Sequence, residues 1–182
     1  MTADYVDDAL YETLHALATV PPVGAPRADL RPLVESIVFE EARLLDDHHY
    51  REWLARFADE SVYWVPVEPG LDPRDGVAYF FDDRSRIEDR VALLETGWAH
   101  AQVPASRTCR SIATVDAWPL DDGGLFVRCA STVWEYRHER ATAFASTNRF
   151  VIDEADGDWR IRVKIVTLVN AGGDVPPFTF IL

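Results

Sequence analysis

Apolar residues recur at helical spacing over Leu33, Val34, Ile37, Leu44 and Leu45, and again over Tyr50, Trp53, Leu54 and Phe57. Positions three and four apart share one side of a helix, so the pattern predicts two amphipathic helices in succession. Glu41 falls on the apolar side of the first, between Ile37 and Leu44. Val62-Tyr63-Trp64-Val65 then reads as a strand, and Pro66, which has no N–H to donate, limits its pairing. A turn-rich loop over 68–76 leads to a short strand over 77–81. A third helix follows. Ile87, Val91, Leu94 and Trp98 mark its apolar side, Arg84, Arg86 and Arg90 line another, and Gly97 stands near its end. Ser85 with Glu88 offers a capping box.

Beyond residue 107 the period changes. Stretches 108–118, 125–137, 141–153 and 158–169 read as four long strands, with Asp121-Asp122-Gly123-Gly124 and Asp156-Gly157 as hairpin turns. Helices followed by a run of strands is an α+β arrangement. Over 159–165 the alternation puts Trp159, Ile161, Val163 and Ile165 on one face and Arg160, Arg162 and Lys164 on the other. That cationic stripe reads most simply as a solvated face, with a subunit contact as the other reading. The strand 125–136 is apolar or small on both sides except at Arg128 and Glu135, which calls for a second covering surface. The last residues, Phe178-Thr179-Phe180-Ile181-Leu182, are nearly all hydrophobic. They are expected to join the sheet in a self-association contact.

A short helix is expected over 4–17, ended by the proline-rich stretch 20–26. We read residues 1–28 as an extension, mobile or packed on a neighbour, and 29–182 as a single domain. A chain of 182 residues with 48% hydrophobic and 12% aromatic content can bury a sizeable core. Its 31 acidic against 18 basic residues give a net charge of −13, which argues against nucleic acid or an anionic membrane as partner. No apolar run approaches the roughly 20 residues needed to span a bilayer. The N-terminal residues lack the pattern of a secretory signal. Two cysteines, Cys109 and Cys129, make no disulfide framework, so a reducing cytoplasm is the expected compartment.

The chemistry-bearing residues do not form a metal motif. A Rieske cluster takes closely spaced Cys/His pairs, and neither cysteine has such a neighbour. A mononuclear iron site needs two histidines and a carboxylate at one point, and the adjacent His48 and His49 diverge on either a helix or a strand. Asp46, His48 and Tyr50 could perform acid–base work, but a polar helix junction accounts for them as well. His100 and His138 read as solvated or hydrogen-bonded, and the two cysteines as small core or strand residues. A carboxylate on an apolar face is costly unless paired, so Glu41 is expected in a buried structural pair, with Arg84 and Arg107 as candidate partners. Arg107 and Arg110, at the entry to a strand, are candidates for pairing across an interface.

Several strings carry a family resemblance: Glu41-Ala42-x-Leu44-Leu45-Asp46, Tyr50-x-x-Trp53-Leu54, Phe57 and Tyr63-Trp64-Val65-Pro66, then Asp83-Arg84 through Arg90-Val91, Thr96-Gly97 and Pro104-x-Ser106-Arg107-Thr108. From Pro32 onward the chain resembles the small (beta) subunits of aromatic-ring-hydroxylating, Rieske-type dioxygenases. The resemblance implies a cone-shaped, cystatin-like or nuclear-transport-factor-like α+β barrel, with N-terminal helices on a strongly curved, mixed but mostly antiparallel sheet. It implies no catalytic, cofactor or metal residue in this chain. The Rieske iron–sulfur cluster and non-haem iron would sit in a partner large subunit, three of which would bind a homotrimer of this chain. Glu41, Arg84, Arg107, Arg110, Arg160, Arg162, Phe178 and Phe180 are the structural and interface candidates. The alternatives are a stand-alone isomerase or dehydratase using Asp46, His48 and Tyr50, and a non-enzymatic small-molecule binding module.

Overall fold

Capping and turn chemistry set the first elements. The computed structural model describes residues 3–96 and 102–182. Helix α1, Asp8–Thr19, starts where the Asp7 carboxylate accepts the Leu10 N–H at 2.9 Å, and it ends before Pro21. A 3₁₀ turn, Ala28–Leu30, leads into α2, Arg31–Asp46, with Pro32 in its first turn. His48 ends α2 in the left-handed region, at φ 59°. The His49 and His48 N–H groups turn back onto the Leu44 and Leu45 carbonyls at 2.8 and 3.3 Å, the usual closure of a helix C-terminus. Helix α3, Tyr50–Leu54, is shorter than the apolar pattern predicts, because Phe57 opens a strand instead.

The strands are β1 (Phe57–Pro66), β2 (Ala78–Asp83), β3 (Arg107–Pro119), β4 (Leu125–Arg137), β5 (Arg140–Ala155) and β6 (Asp158–Leu168). Helix α4, Arg84–Glu95, sits between β2 and β3. Its cap is Asp83, whose carboxylate accepts the Arg86 N–H at 3.0 Å. Ser85 therefore does not form the expected capping box. The helix begins one residue before it, and Glu88 pairs with Arg84 at 2.8 Å. Trp98, Gly97 and His100 lie outside the described residues.

The six strands form one mixed sheet in the order β2-β1-β6-β5-β4-β3. Neighbours are antiparallel except β1 and β6, which run parallel. One face carries the main core: Val127, Cys129, Phe144, Phe150, Ile161 and Val166 pack under α2, α3 and α4 with Val34, Leu45, Trp53 and Ile87. The other face is half covered. Val62, Trp64, Phe126, Val151, Val163 and Ile165 pack with Leu14 of α1, which is 0% exposed. Helix α1 of the 1–28 extension thus packs on this chain's own sheet. Apolar side chains on one side of α1 and on that end of the sheet remove each other from water.

A bulge resets the phase of β6. Val151 pairs with Val163 while Ile152 pairs with Ile161, so Arg162 is the extra residue. Ile161 then faces the main core, whereas Val163 and Ile165 face α1. The strict alternation expected over 159–165 therefore fails, and Lys164 is turned inward. It is 1% exposed, so it does not belong to a solvated cationic face.

Candidate functional site

A fully buried polar group is built from four residues, on α2, α3, β1 and β6. Glu41 on α2 is 3% exposed, as its place on the apolar face requires. Its Oε1 accepts from Lys164 Nζ on β6 and from Trp53 Nε1 on α3, each at 2.6 Å. Lys164 Nζ also donates to the Leu182 main-chain oxygen at 2.6 Å. Tyr63 closes the group: its hydroxyl donates to the Leu182 oxygen at 3.2 Å and accepts the Leu182 N–H at 3.1 Å. The Lys164 ammonium lies 5.3 Å from the Tyr63 ring centroid and 5.7 Å from that of Trp53. Burial pulls the Lys164 pKa below its ordinary value, with the Glu41 charge opposing the shift. Burial likewise pushes the Tyr63 hydroxyl upward. The buried structural pair expected of Glu41 is present, but its partner is Lys164 and not Arg84 or Arg107. Neither arginine reaches it. Arg84 donates to the Leu54 and Phe57 carbonyls at 3.1 and 2.9 Å, and Arg107 is exposed beside the Tyr136 ring. The signal missed in the sequence was a lone lysine inside Ile161-x-Val163-x-Ile165-Val166.

A second clasp ties α2 to β3. The Asp46 carboxylate accepts from Thr108 Oγ1 at 2.8 Å, from the Arg110 N–H at 2.7 Å, and from the Arg110 guanidinium. That guanidinium, itself buried, also donates to the Ile181 carbonyl. His48 Nε2 donates to the Ser106 carbonyl at 3.1 Å, and its ring stacks on Tyr50. Asp46, His48 and Tyr50 do come near one another, but the space beside them is about 10 Å³, room for one water at most. The Asp46 carboxylate and the His48 ring hold the α2 end on β3 and on Ser106 just before it. A polar junction describes them, and no substrate chamber opens there.

The other candidates divide into internal and surface groups. Phe180 is buried, and Phe178 packs between Phe80 and Phe144 at 5.6 Å from each. The segment expected in a self-association contact is thus folded into its own core, because the main core leaves an apolar space that these side chains fill. Arg160 pairs with Asp158 at 2.5 Å, and Arg162 with Asp122 and Asp153, each at 2.8 Å. The Gly124 N–H and, after it, the Arg162 guanidinium hold Asp122 below the usual carboxylate range. Arg107 stands with Trp134, 52% exposed, and Tyr136, 46% exposed, on the half of the second sheet face that α1 does not reach. Cys109 is exposed opposite Trp134, whereas Cys129 is buried and its thiol is pushed up to about 12. Among the described residues, no three His, Cys, Asp or Glu side chains converge as a metal site would require. No helix among them is long and apolar enough to cross a membrane.

Helices over a six-stranded mixed sheet define an α+β protein of the cystatin-like class. A nuclear-transport-factor-like protein with a cystatin-like fold from Novosphingobium aromaticivorans superposes with a TM-score of 0.58 at 17% identity, over 91% of this chain and 92% of that one. Residues 40–172 match the ring hydroxylating beta subunit family. The chain belongs to the ring-hydroxylating dioxygenase beta-subunit family. The benzoate 1,2-dioxygenase beta subunit of Acinetobacter baylyi is 27% identical over 143 residues, 75% of this chain and 85% of the relative. The crystal structure of the benzoate 1,2-dioxygenase beta subunit from Burkholderia mallei superposes with a TM-score of 0.66 at 27% identity, over 81% of this chain and 95% of that one.

Proposed function

We propose that this chain is the non-catalytic assembly subunit of a multicomponent aromatic-ring-hydroxylating dioxygenase. It acts in the cytoplasm as a homotrimer bearing three large subunits, and those hold the Rieske cluster and the mononuclear iron. The observation that carries the reading is the engagement within this chain of Glu41, Asp46 and His48. Glu41, Asp46 and His48 hold elements of this chain together, and the space beside His48 is only about 10 Å³. Residues 1–28 are an extension docked on the second sheet face, and 29–182 are the domain proper. The trimer contact is the uncovered half of that face. Its outward positions are the small residues Ala113, Ala130, Ala143 and Ala145, together with Cys109, Trp134, Tyr136 and Arg107. Small side chains let a neighbour approach closely, and aromatic residues with arginine are the usual anchors of an interface.

Co-expression with the Rieske large subunit encoded in the same source tests this. The expected result is one particle with three copies of each chain by light scattering, with all iron accompanying the large chain. A beta chain that elutes alone beside a folded, iron-loaded large chain would reject the reading.

A further inference from the structure

Arg128 on β4 stands directly opposite Arg149 on β5. Like charges facing each other across two strands cost stability. Among the described residues neither is in an ion pair, and the one side-chain hydrogen bond of the two runs from Arg149 to Thr167 Oγ1 at 3.2 Å. Asp116 is the register partner of Arg128 on its other side, but its carboxylate pairs with Arg31 at 3.1 Å. Burial, and after it the Arg128 charge, holds the Arg149 guanidinium below its ordinary value. A chain with 31 acidic residues thus leaves two adjacent cations without a carboxylate partner. The backbone beside them is irregular. Thr114 and Val115 of β3 together oppose Cys129 alone, a bulge between the Ala113–Ala130 and Asp116–Arg128 pairs. Val115 turns into the main core, and Thr114 takes φ 51°, a left-handed conformation unusual for a β-branched residue. Beside the bulge is a hollow of about 250 Å³, lined by Thr114, Asp116, Arg128, Cys129, Ala130 and Thr147.

A guanidinium presents a planar fork of N–H donors, and two such forks beside threonine hydroxyls suit an oxyanion with two charges. The hollow is smaller than the roughly 300–1,000 Å³ that drug-sized ligands occupy, so it suits an ion. We propose that Arg128 and Arg149, with the Thr114 and Thr147 hydroxyls, form a binding site for a small free dianion of the phosphate class. Asp116 also lines the hollow, but its bond to Arg31 offsets its charge and the patch stays cationic. The bound ion removes the repulsion that the empty pair carries. The hollow borders the proposed trimer contact, with Ala130 common to both, yet the inference does not depend on the assembly reading.

The test is titration calorimetry of the full chain with inorganic phosphate at pH 8, where the ion is mostly divalent, at an ionic strength held constant with chloride. Expected are one saturable site per chain, a dissociation constant of about 1 mM or tighter, and binding weakened about 10-fold or more in Arg128→Gln and in Arg149→Gln. Thermal melts in the two buffers give a second readout. Arg128→Gln has no side-chain bond to lose, so in chloride its midpoint should equal or exceed that of wild type. In phosphate the wild type should gain and the variant should not. Absence of saturable heat up to about 10 mM phosphate would overturn the proposal. So would an equal phosphate response in wild type and variant, or a variant midpoint lowered in both buffers. Light scattering separates a free ion from a carboxylate of a neighbouring copy. A particle that dissociates on Arg128→Gln, with no phosphate heat in wild type, would assign the pair to a subunit contact and overturn the site.

Discussion

Glu41→Ala should destabilise the chain by about 3–5 kcal/mol, the usual cost of removing one partner from a buried ion pair. The geometry shows why the high range applies. The substitution leaves the Lys164 ammonium 1% exposed with only the Leu182 oxygen at 2.6 Å, and it strips the Trp53 indole N–H of its acceptor. For a chain of this size each kcal/mol moves Tm by about 2–4 °C, so the midpoint should fall by about 6–20 °C. The pH dependence carries a sign. Lys164 already has a lowered pKa in the folded chain, and losing Glu41 removes the main influence raising it. The unfolded lysine then keeps its proton up to its ordinary value while the folded one releases it earlier. The unfolded state binds more protons over that window, so stability gains as pH rises through it. The deficit of the variant relative to wild type should therefore shrink between neutral pH and pH about 9.5. Replacing both partners, with Lys164→Met added, should recover much of the loss, since a matched apolar pair leaves no buried charge. Calorimetry or thermal circular dichroism at three pH values measures all of this. A midpoint equal to wild type, or a deficit that widens with pH, would refute the argument.

Asp47→Ala alters the exposed end of α2, with no side-chain bond to lose, and should change stability by less than about 0.5 kcal/mol in the same melts. Arg110→Ala should cost about 3 kcal/mol by leaving Asp46 without its cation, and it should raise amide exchange at Ile181 and Leu182. A disulfide reagent at pH 8 should titrate one thiol, Cys109, in the folded but dissociated chain, and the second only on unfolding, because Cys129 is buried with its pKa at about 12. Trp134→Asp should shift the proposed homotrimer towards monomer at micromolar concentration with little change in secondary structure. Light scattering checks it, and an unchanged particle would place the contact elsewhere.

The strands 108–118, 125–137, 141–153 and 158–169 were legible because alternation and turn residues act over a few positions. The sequence also shows Glu41 on a buried face, since a helix fixes which side each residue takes. It does not show the partner. One extra residue at Arg162 reverses every later side chain of β6, and no alternation count detects such a bulge before the neighbouring strands are in register. The hydrophobic segment 178–182 reads the same whether it seeks a neighbour or its own interior. Only the volume left between α2 and the sheet decides, and that depends on residues from every strand. The cap of α4 was misplaced by two residues because Ser85 and Asp83 both suit the role. Asp83 prevails by being the last residue of β2, where the backbone is still extended.

The parallel pairing of β1 with β6 joins residues about a hundred positions apart inside the sheet. Every antiparallel neighbour pair among β3 to β6 forms locally through a turn, but β1 and β2 reach that meander only through this one seam. On the ribosome, α2 to α4 and their two strands must therefore emerge and wait, with apolar surface exposed, until 158–168 has been made. Folding is then gated by a single late, long-range closure, which places this chain among the slower folders of its size. It also makes the interval before closure the period in which a chaperone or a partner finds the most to hold.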